Sequence, residues 1–322
     1  MRAVVLKEAG GTDNFIILQR PIPEPLFDQV LIKVKAFGLN RSELMTRKGY
    51  SPNVQFPRVL GIECVGEIEK DPSGQFLPGQ KVAAFMGGMG RDFDGSYAEF
   101  VLVPRRIVLP FESTLEWHVL GSLPEMFQTA YGSLFHSLAL KATDTLLIRG
   151  GTSSVGILAS QLASNFGTTV CSTSRNPNAE GFMLQNGATH FYLDDGNLVD
   201  QVKSSGVKIN KVLELIGTPT LKDSLACLQP RGIVCMTGML SEQWSISDFA
   251  PMDFISSGTY LTVYDSGQSR VGSKEFQDFI LLIENRKIAP VISKVFHLEN
   301  IRKAHDFMES NHGSGKIVVI TE

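Results

Sequence analysis

The chain has 322 residues, a length typical of two domains or of one large barrel. A hydrophobic share of 43% with 20% charged residues indicates a globular protein with a substantial core. Thirty Lys and Arg residues against 33 Asp and Glu residues give a net charge of −3, which argues against nucleic acid as the main partner.

Membrane and secretion signals are not recognisable in the sequence. Apolar residues never run uninterrupted for the ~18 positions that a spanning helix needs. The start, MRAVVLKEAGG, lacks the apolar core and cleavage site of a signal peptide and is typical of a first strand. The four cysteines show no metal-ligand spacing, so we expect buried thiols; they are Cys64, Cys171, Cys227 and Cys235. These features predict a cytoplasmic protein with no membrane partner.

Short strands separated by Gly and Pro dominate the first 110 residues. Val30–Phe37 alternates with period two, and Tyr97–Val103 does so more loosely. Two further predicted strands, CVGEIEK and KVAAFM, flank a turn over Asp71–Gln80. Such spacing predicts a small barrel-like β domain.

From about residue 122 the pattern alternates between strands and helices. Predicted strands in LLIRGG, TTVCSTSR, HFYL, KVLELIG and GIVCMTG are separated by helical stretches. The first helix is expected to bury Val155, Leu158, Leu162 and Phe166 on one face. This alternation predicts a parallel sheet covered by helices.

The remaining residues return to a mixed pattern. EFQDFILLIENRK predicts an amphipathic helix with Phe276, Phe279, Ile280 and Ile283 on one face. A strand over Val291–Phe296, a helix over Glu299–Glu309 and a final strand KIVVIT follow.

The junction LLIRGGTSSVG is the most specific local signal. A strand that runs into a small-residue turn and then a helix forms an anion site, because backbone N–H groups converge at the helix start. The plain GxGxxG pattern is not met, since Ser153 takes its middle position. The sequence predicts a dinucleotide site here, with a purely structural strand–turn–helix as the alternative; its residues are Gly150, Gly151, Thr152, Ser153, Ser154, Val155 and Gly156.

The end of the next strand indicates which dinucleotide binds. An Asp or Glu usually contacts a free ribose 2′-hydroxyl, yet here the strand ends in Ser174 and Arg175, with no acid before Glu180. A hydroxyl and a guanidinium suit a 2′-phosphate. NADPH is therefore favoured over NADH, unless Arg175 is a solvated surface residue.

Longer motifs, in this order and spacing, support a named resemblance. They include AFGLNRSEL, VLGIECVGEI, LPGQKVAAF, GSYAEFVLVP, EMFQTAYGSL, NGATHFYL and AHDFMESNHGSGKIVV. Over essentially its whole length the chain resembles the zinc-independent quinone oxidoreductase (zeta-crystallin-like) group of medium-chain dehydrogenases/reductases. The resemblance implies an α/β protein with a GroES-like β-rich catalytic domain over 1–121, completed by 266–322, and a doubly wound Rossmann NADPH-binding domain over 122–265.

Two departures from the zinc-dependent relatives predict that no metal is bound. Those relatives carry Cys where this chain has Asn40, and Gly-His-Glu where it has Gly61, Ile62 and Glu63. The structural-zinc cysteines are also missing between Val82 and Tyr97.

The resemblance also assigns site residues, each with a structural alternative. It implies that Tyr50 and Asn40 contact the nicotinamide end or the substrate; alternatively, Tyr50 packs on the β domain and Asn40 bonds its own backbone. The carboxyl end of the fifth Rossmann strand is also expected to line the ligand crevice. The further predicted cofactor contacts are Thr129, Tyr131, Tyr192, Gly217, Gly238, Met239 and Lys316. The alternatives are helix packing for Thr129 and Tyr131, core packing for Tyr192 and a surface position for Lys316. Ala179 stands where relatives often have a lysine for the 2′-phosphate, a role that Arg175 could take.

The function that the resemblance implies is metal-free hydride transfer from NADPH to a quinone or related α,β-unsaturated carbonyl. Two alternatives stay open: a reductase of acyclic alkenals or enoyl thioesters, and a non-catalytic NADPH-binding redox sensor. The resemblance also implies a homodimer that pairs the strand near Thr259–Asp265 with its copy.

Overall fold

The computed structural model describes residues 1–268, 270–310 and 313–322, and these residues form two compact units. Unit 1 comprises Met1–Glu125, Gly272–Arg286 and Ile292–Glu322, and unit 2 comprises Met126–Val271 and Lys287–Val291. The domain boundaries expected from the sequence follow residues 121 and 265.

Strands and helices are numbered in chain order. The strands are β1 (Arg2–Leu6), β2 (Phe15–Gln19), β3 (Gln29–Gly38), β4 (Arg58–Val59), β5 (Glu63–Lys70), β6 (Lys81–Phe85), β7 (Phe100–Pro104), β8 (Val108–Pro110), β9 (Thr145–Arg149), β10 (Thr169–Ser174), β11 (His190–Leu193), β12 (Ile209–Glu214), β13 (Leu228–Met236), β14 (Tyr260–Val263), β15 (Ile292–His297) and β16 (Lys316–Ile320). The helices are α1 (Arg41–Arg47), α2 (Trp117–Leu120), α3 (Pro124–Tyr131), α4 (Ser154–Phe166), α5 (Glu180–Gln185), α6 (Leu198–Ser205), α7 (Thr218–Ala226), α8 (Pro251–Phe254), α9 (Ser273–Glu284) and α10 (Ile301–Glu309).

Unit 1, where the sequence predicts a small barrel-like β domain, contains two β-sheets. One has the order β2-β1-β4, and the other has the order β15-β16-β3-β5-β6-β8 with β7 also paired to β3. The long strand β3 bonds to three neighbours, and its apolar side chains are buried while Lys33 and Lys35 stay partly exposed. The C-terminal strand β16 therefore lies beside a strand from the start of the chain.

Unit 2 is built on a six-stranded sheet with the order β11-β10-β9-β12-β13-β14. All its pairings are parallel, as predicted. This is the strand order of the Rossmann fold, in which ligands bind beyond the carboxyl ends of the strands where the order reverses. Here the reversal falls at β9, whose neighbours are β10 and β12.

The two predicted helix faces have different outcomes. In α9 all four predicted residues are buried, which confirms the prediction. In α4 Leu158 and Leu162 are buried, but Val155 is only half-buried and Phe166 is 45% exposed, so the predicted face is partly wrong. Phe166 ends the helix and its ring packs edge-on against Phe135 at the surface.

The four cysteines are buried, as the sequence predicts, and all four are free. Burial raises the pKa of Cys64, Cys171 and Cys227 to about 12, so these thiols stay protonated. Within the described residues no helix combines the length and the apolar character needed to cross a bilayer.

Candidate functional site

Ser153 organises the turn between β9 and α4. It is the N-cap of the helix: its Oγ accepts the N–H of Gly156 at 3.1 Å and donates to the carbonyl of Gly150 at 2.7 Å. Gly150 has φ of +81°, whereas Ser153 has φ of −71° and does not need to be glycine. The serine therefore replaces the usual middle glycine without distorting the turn, and it caps the helix as well.

Close packing explains the other two glycines of this turn. A Cβ on Gly151 would overlap the Ser172 side chain, and one on Gly156 would lie 2.5 Å from the Gly150 carbonyl oxygen. Ser172 Oγ is buried without a hydrogen-bond partner among the described residues. The N–H groups of the first turn, at Ser154 and Val155, precede the first intrahelical bond and suit an anion. The turn thus fits a pyrophosphate.

The end of β10 presents an exposed arginine beside this turn. Ser174 Oγ accepts the N–H of Asn176 at 3.1 Å, so it shapes the loop that follows the strand. Arg175 is exposed and makes no hydrogen bond or ion pair with the part of the chain that the structure describes. Thr173 is buried, and its carbonyl accepts the N–H of Gly151 at 3.0 Å. This pairing holds the end of β10 next to the glycine turn and leaves Arg175 available to a ligand.

The loops after β12 and β13 bring the remaining predicted glycines together. Gly217 has φ of +118°, and a Cβ there would lie 3.3 Å from Met239 Sδ and 3.5 Å from the Gly238 carbonyl oxygen. A Cβ on Gly150 would lie 3.1 Å from Ile216 Cδ1, so the β9 turn also reaches the loop after β12. These residues share the carboxyl edge of the sheet, where the strand order reverses.

The aromatic and threonine candidates occupy packed positions in unit 2. Tyr192 is 7% exposed, and its hydroxyl bonds to Ser205 Oγ at 2.7 Å. Tyr192 thus packs in the core, as the structural alternative states, and its contact with a cofactor phosphate stays a prediction. Thr129 is buried in α3, and Tyr131 packs against Phe127 and Phe135 with ring centroids 5.1 and 4.7 Å apart.

Sequence reasoning missed a buried charge network under the glycine turn. Arg149, 2% exposed, binds Asp194 through Nη2 at 2.6 Å and Nε at 3.1 Å, and binds Asp223 through Nη1 at 2.7 Å. Glu214 accepts from Ser224 Oγ at 2.5 Å. Burial raises the pKa of Glu214. Burial alone would lower the pKa of Arg149, but the surrounding carboxylates, Asp194 first among them, together raise it above its usual value. The only signal was a charged residue inside the apolar runs LLIRGG and KVLELIG.

Asn40 belongs to a second polar cluster, in unit 1. Its Oδ1 accepts from Lys316 Nζ at 2.5 Å, and its Nδ2 donates to Glu63 Oε1 at 2.8 Å. Lys316 Nζ also pairs with Glu63 Oε1 at 2.7 Å. Although Asn40 is the N-cap of α1, its side chain makes no capping bond, so the alternative of bonding its own backbone is wrong.

Lys316 is not a surface residue: it is 2% exposed, so the surface alternative is wrong as well. The strand β16 pairs with β3 so that Val318 faces Gly38, which places Lys316 opposite Asn40. Burial alone would lower the pKa of Lys316, but Glu63 and neighbouring acids raise it above its usual value. The side chain is thus a fixed ammonium, and its contact with a cofactor stays a prediction.

Glu43 completes the cluster as a buried acid. Its Oε1 accepts the N–H of Ile62 at 3.3 Å, while Oε2 has no partner among the described residues. Burial, with a smaller contribution from Glu63, raises the pKa of Glu43 to about 8. The side chain is therefore protonated at neutral pH, and the charges of Glu63 and Lys316 balance.

Glu43→Gln is expected to flatten the pH dependence of stability. The folded protein holds a proton that the unfolded chain releases between about pH 4.5 and pH 8, so the free energy of unfolding falls as pH rises through this window. The full effect is on the order of 4 kcal/mol. Urea unfolding at pH 5 and pH 8 measures it, and equal pH slopes in the variant and the wild type would contradict the assignment.

Tyr50 lies in the loop after α1 and is 64% exposed. This exposure does not fit the alternative in which its ring packs on the β domain. Its backbone N–H bonds to the carbonyl of Met45 at 2.9 Å, which fixes the loop while leaving the phenol accessible.

The residues at the positions that hold zinc in metal-dependent relatives do not fit a metal ion. Ile62 has no ligand atom, and the Lys316 ammonium already contacts the oxygen atoms of Asn40 and Glu63. A second cation there would be repelled. No group of three or more His, Cys, Asp or Glu residues in the described ranges is arranged to hold a metal.

Comparisons with known proteins agree with this architecture. Residues 27–113 match the alcohol dehydrogenase GroES-like domain, and residues 186–319 match the zinc-binding dehydrogenase family. The chain is 32% identical over 333 residues to a quinone oxidoreductase of Mus musculus, covering 98% of this chain and 96% of the relative. A quinone oxidoreductase of Rattus norvegicus is 31% identical over 335 residues, covering 99% and 98%.

A solved structure shows the same fold. The quinone oxidoreductase of Escherichia coli in complex with NADPH superposes with a TM-score of 0.88 over the full length of both chains, at 20% identity. This likeness shows the fold, and the 32% identity to the mouse protein over nearly the whole of both chains shows the family. The chain is an oxidoreductase that belongs to the quinone oxidoreductase family of medium-chain dehydrogenases/reductases.

Proposed function

We propose that the protein transfers a hydride or electrons from NADPH to quinones or related α,β-unsaturated carbonyls, without a metal. The observation that carries the proposal is the capped glycine turn at the reversal of the strand order, with an exposed arginine at the end of the next strand. Relatives named quinone oxidoreductase, at about 30% identity over nearly the whole chain, support the substrate class.

The residues of unit 2 supply the binding groups for the coenzyme. The N–H groups at the start of α4 would bind the pyrophosphate, and Arg175 would pair with the 2′-phosphate. No carboxylate ends β10, so the chain lacks the charged acceptor that usually binds a free 2′-hydroxyl there. Gly217, Gly238 and Met239 would line the rest of the crevice. NADPH, once bound, supplies the hydride.

The part played by unit 1 is positioning. By resemblance, Asn40 and Tyr50 would contact the nicotinamide end or the substrate, whereas Thr129 and Tyr131, which belong to unit 2, would contact the ribose. The fixed ammonium of Lys316 and the apolar Ile62 support a reaction without zinc, because the cluster leaves no set of ligands for it.

Purified protein dialysed against a chelator should oxidise NADPH with an ortho-quinone, and should do so faster than it oxidises NADH. Activity lost on chelation and restored by zinc would contradict the metal-free reaction. Turnover with alkenals but not with quinones would identify an acyclic enone reductase. NADPH binding without turnover on any electrophilic acceptor would leave the redox-sensor role.

Arg175→Ala should weaken the binding of NADPH and leave the binding of NADH unchanged. Loss of charge-assisted hydrogen bonds to a phosphate corresponds to about 10- to 100-fold in affinity. We therefore expect the KM for NADPH to rise by about that factor while the KM for NADH, which lacks the phosphate, stays the same. An equal rise for both coenzymes would show that Arg175 does not read the 2′-phosphate.

The sheet edge of unit 2 supports a homodimer. Among the described residues β14 pairs with β13 alone, and its Tyr260 and Val263 are 57% and 65% exposed. A second copy would cover this edge. Light scattering at micromolar concentration should report a dimer, and a monomer would overturn the proposal. The cytoplasmic location stays a prediction.

A further inference from the structure

The orientation of the Asn40 amide is forced by its two charged neighbours. A lysine ammonium only donates hydrogen bonds, and the Glu63 carboxylate paired with it only accepts them. The amide oxygen must therefore face Lys316, at 2.5 Å, and the amide nitrogen must face Glu63, at 2.8 Å. The reverse orientation would set a donor against a donor and an acceptor against an acceptor.

The second amide proton is also directed into the cluster. Asn40 Nδ2 lies 3.4 Å from Glu43 Oε1, so both N–H bonds point toward carboxyl oxygens. Among the described residues no second donor contacts Oδ1, and Asn40 is only partly buried. The Asn40 side chain can therefore form one more hydrogen bond, by accepting a proton at the second lone pair of Oδ1.

The surrounding fold is built to keep this arrangement. A Cβ on Gly38 would overlap Lys316 Cε and lie 2.6 Å from Glu63 Oε1, so only glycine leaves room for the ion pair. Glu63 Oε2 accepts the backbone N–H of Glu125 at 2.9 Å, which fixes the carboxylate from its other side. The α1 helix has no side-chain cap, because the Asn40 side chain turns into the cluster instead.

We propose that Lys316 and Glu63 are positioning residues, which hold Asn40 so that it can accept a hydrogen bond from a bound ligand but cannot donate one. The inference rests on the proposed function, in which Asn40 contacts the nicotinamide end or the substrate. Asn40 then receives a hydroxyl proton, such as that of a hydroquinone. Stabilising a developing oxyanion, which needs a donor, falls to other groups.

The first test removes the charged pair while keeping the cluster neutral. In Lys316→Met combined with Glu63→Gln the amide is free to rotate, and we expect kcat with the quinone to fall about 10²-fold while the Kd for NADPH stays the same. Retained folding is checked by thermal unfolding. An unchanged kcat in the folded double variant would overturn the positioning role.

The second test separates acceptance from donation. Asn40→Asp alone sets a carboxylate against Glu63, and activity should fall about 10²-fold. Adding Glu63→Gln restores the charge balance, gives the aspartate a donor and keeps an oxygen facing outward, so we expect at least about tenfold of the loss to be recovered. A folded, NADPH-binding double variant without recovery would show that Asn40 must donate.

A third measurement uses the unmodified protein and does not depend on activity. The side-chain amide protons of Asn40, assigned by comparison with the Asn40→Asp spectrum, should exchange slowly with solvent because both face carboxyl groups. Exchange at the rate of a free amide would overturn the proposal. Wild-type protein without NADPH-dependent turnover would instead count against the proposed function, while this measurement still tests the cluster.

Discussion

Gly156→Ala is expected to raise the Kd for NADPH about 10²-fold. The added Cβ would lie 2.5 Å from the Gly150 carbonyl oxygen and 2.9 Å from Gly151 Cα, which are backbone atoms that no side-chain rotation can move. The start of α4 must then shift away from the turn, and one or two hydrogen bonds to the pyrophosphate are lost at about 1.5–3 kcal/mol each. Calorimetric titration with NADPH measures the change.

Gly181→Ala is the matched control for this substitution. Gly181 lies in the exposed part of α5, and a Cβ there meets no atom within 4 Å. The same chemical change should leave the Kd unaltered and stabilise the protein by up to about 1 kcal/mol. Unaltered NADPH binding in Gly156→Ala would show that the start of α4 is not the phosphate site.

Arg149→Met is expected to cost about 3–5 kcal/mol in the free energy of unfolding. The arginine is 2% exposed and holds Asp194 and Asp223, and its charge also acts on Glu214. Removing one partner of a buried ion pair leaves uncompensated carboxylates in a poorly solvated site. Urea unfolding at constant pH measures this loss of stability. A loss of this size would show that the network stabilises the carboxyl edge of the unit 2 sheet.

Lys274→Met tests whether the loss comes from burial. Lys274 pairs with Asp278 one turn along α9, and both side chains are largely exposed. An exposed pair of this kind contributes at most about 1 kcal/mol. If Arg149→Met cost no more than Lys274→Met, the network around Arg149 would be a minor contributor to stability.

Local patterns in the sequence predict much of the fold. The buried face of α9, the strand HFYL and the turn between β9 and α4 each depend on residues within about a dozen positions of one another. Periodicity and glycine placement are properties of such short windows. The same reasoning failed at the end of α4, where Phe166 follows the predicted period but lies at the surface against Phe135.

The charged parts of the site could not be derived in this way. Arg149, Asp194 and Asp223 come from separate elements, and nothing in their local sequence marks them as partners. Burial of an arginine is tolerated only because two carboxylates meet it, and that meeting depends on the strand order around β9. For the same reason the sequence predicts for Lys316 only a surface position or a cofactor contact, and not its pairing with Glu63.

The residue pattern is sufficient to predict the alternation of strands and helices in unit 2, the glycine turn between β9 and α4 and, through motif spacing, the family. Which charges meet is visible only in the folded chain. Lys316 and Asn40 are 276 residues apart in the chain. They become neighbours because β16 pairs with β3, and the register that sets Val318 against Gly38 also sets the lysine against the asparagine. A pairing of this kind is fixed by the packing of whole strands and not by any local pattern, because the free energy that selects the register comes from burying apolar side chains along both strands.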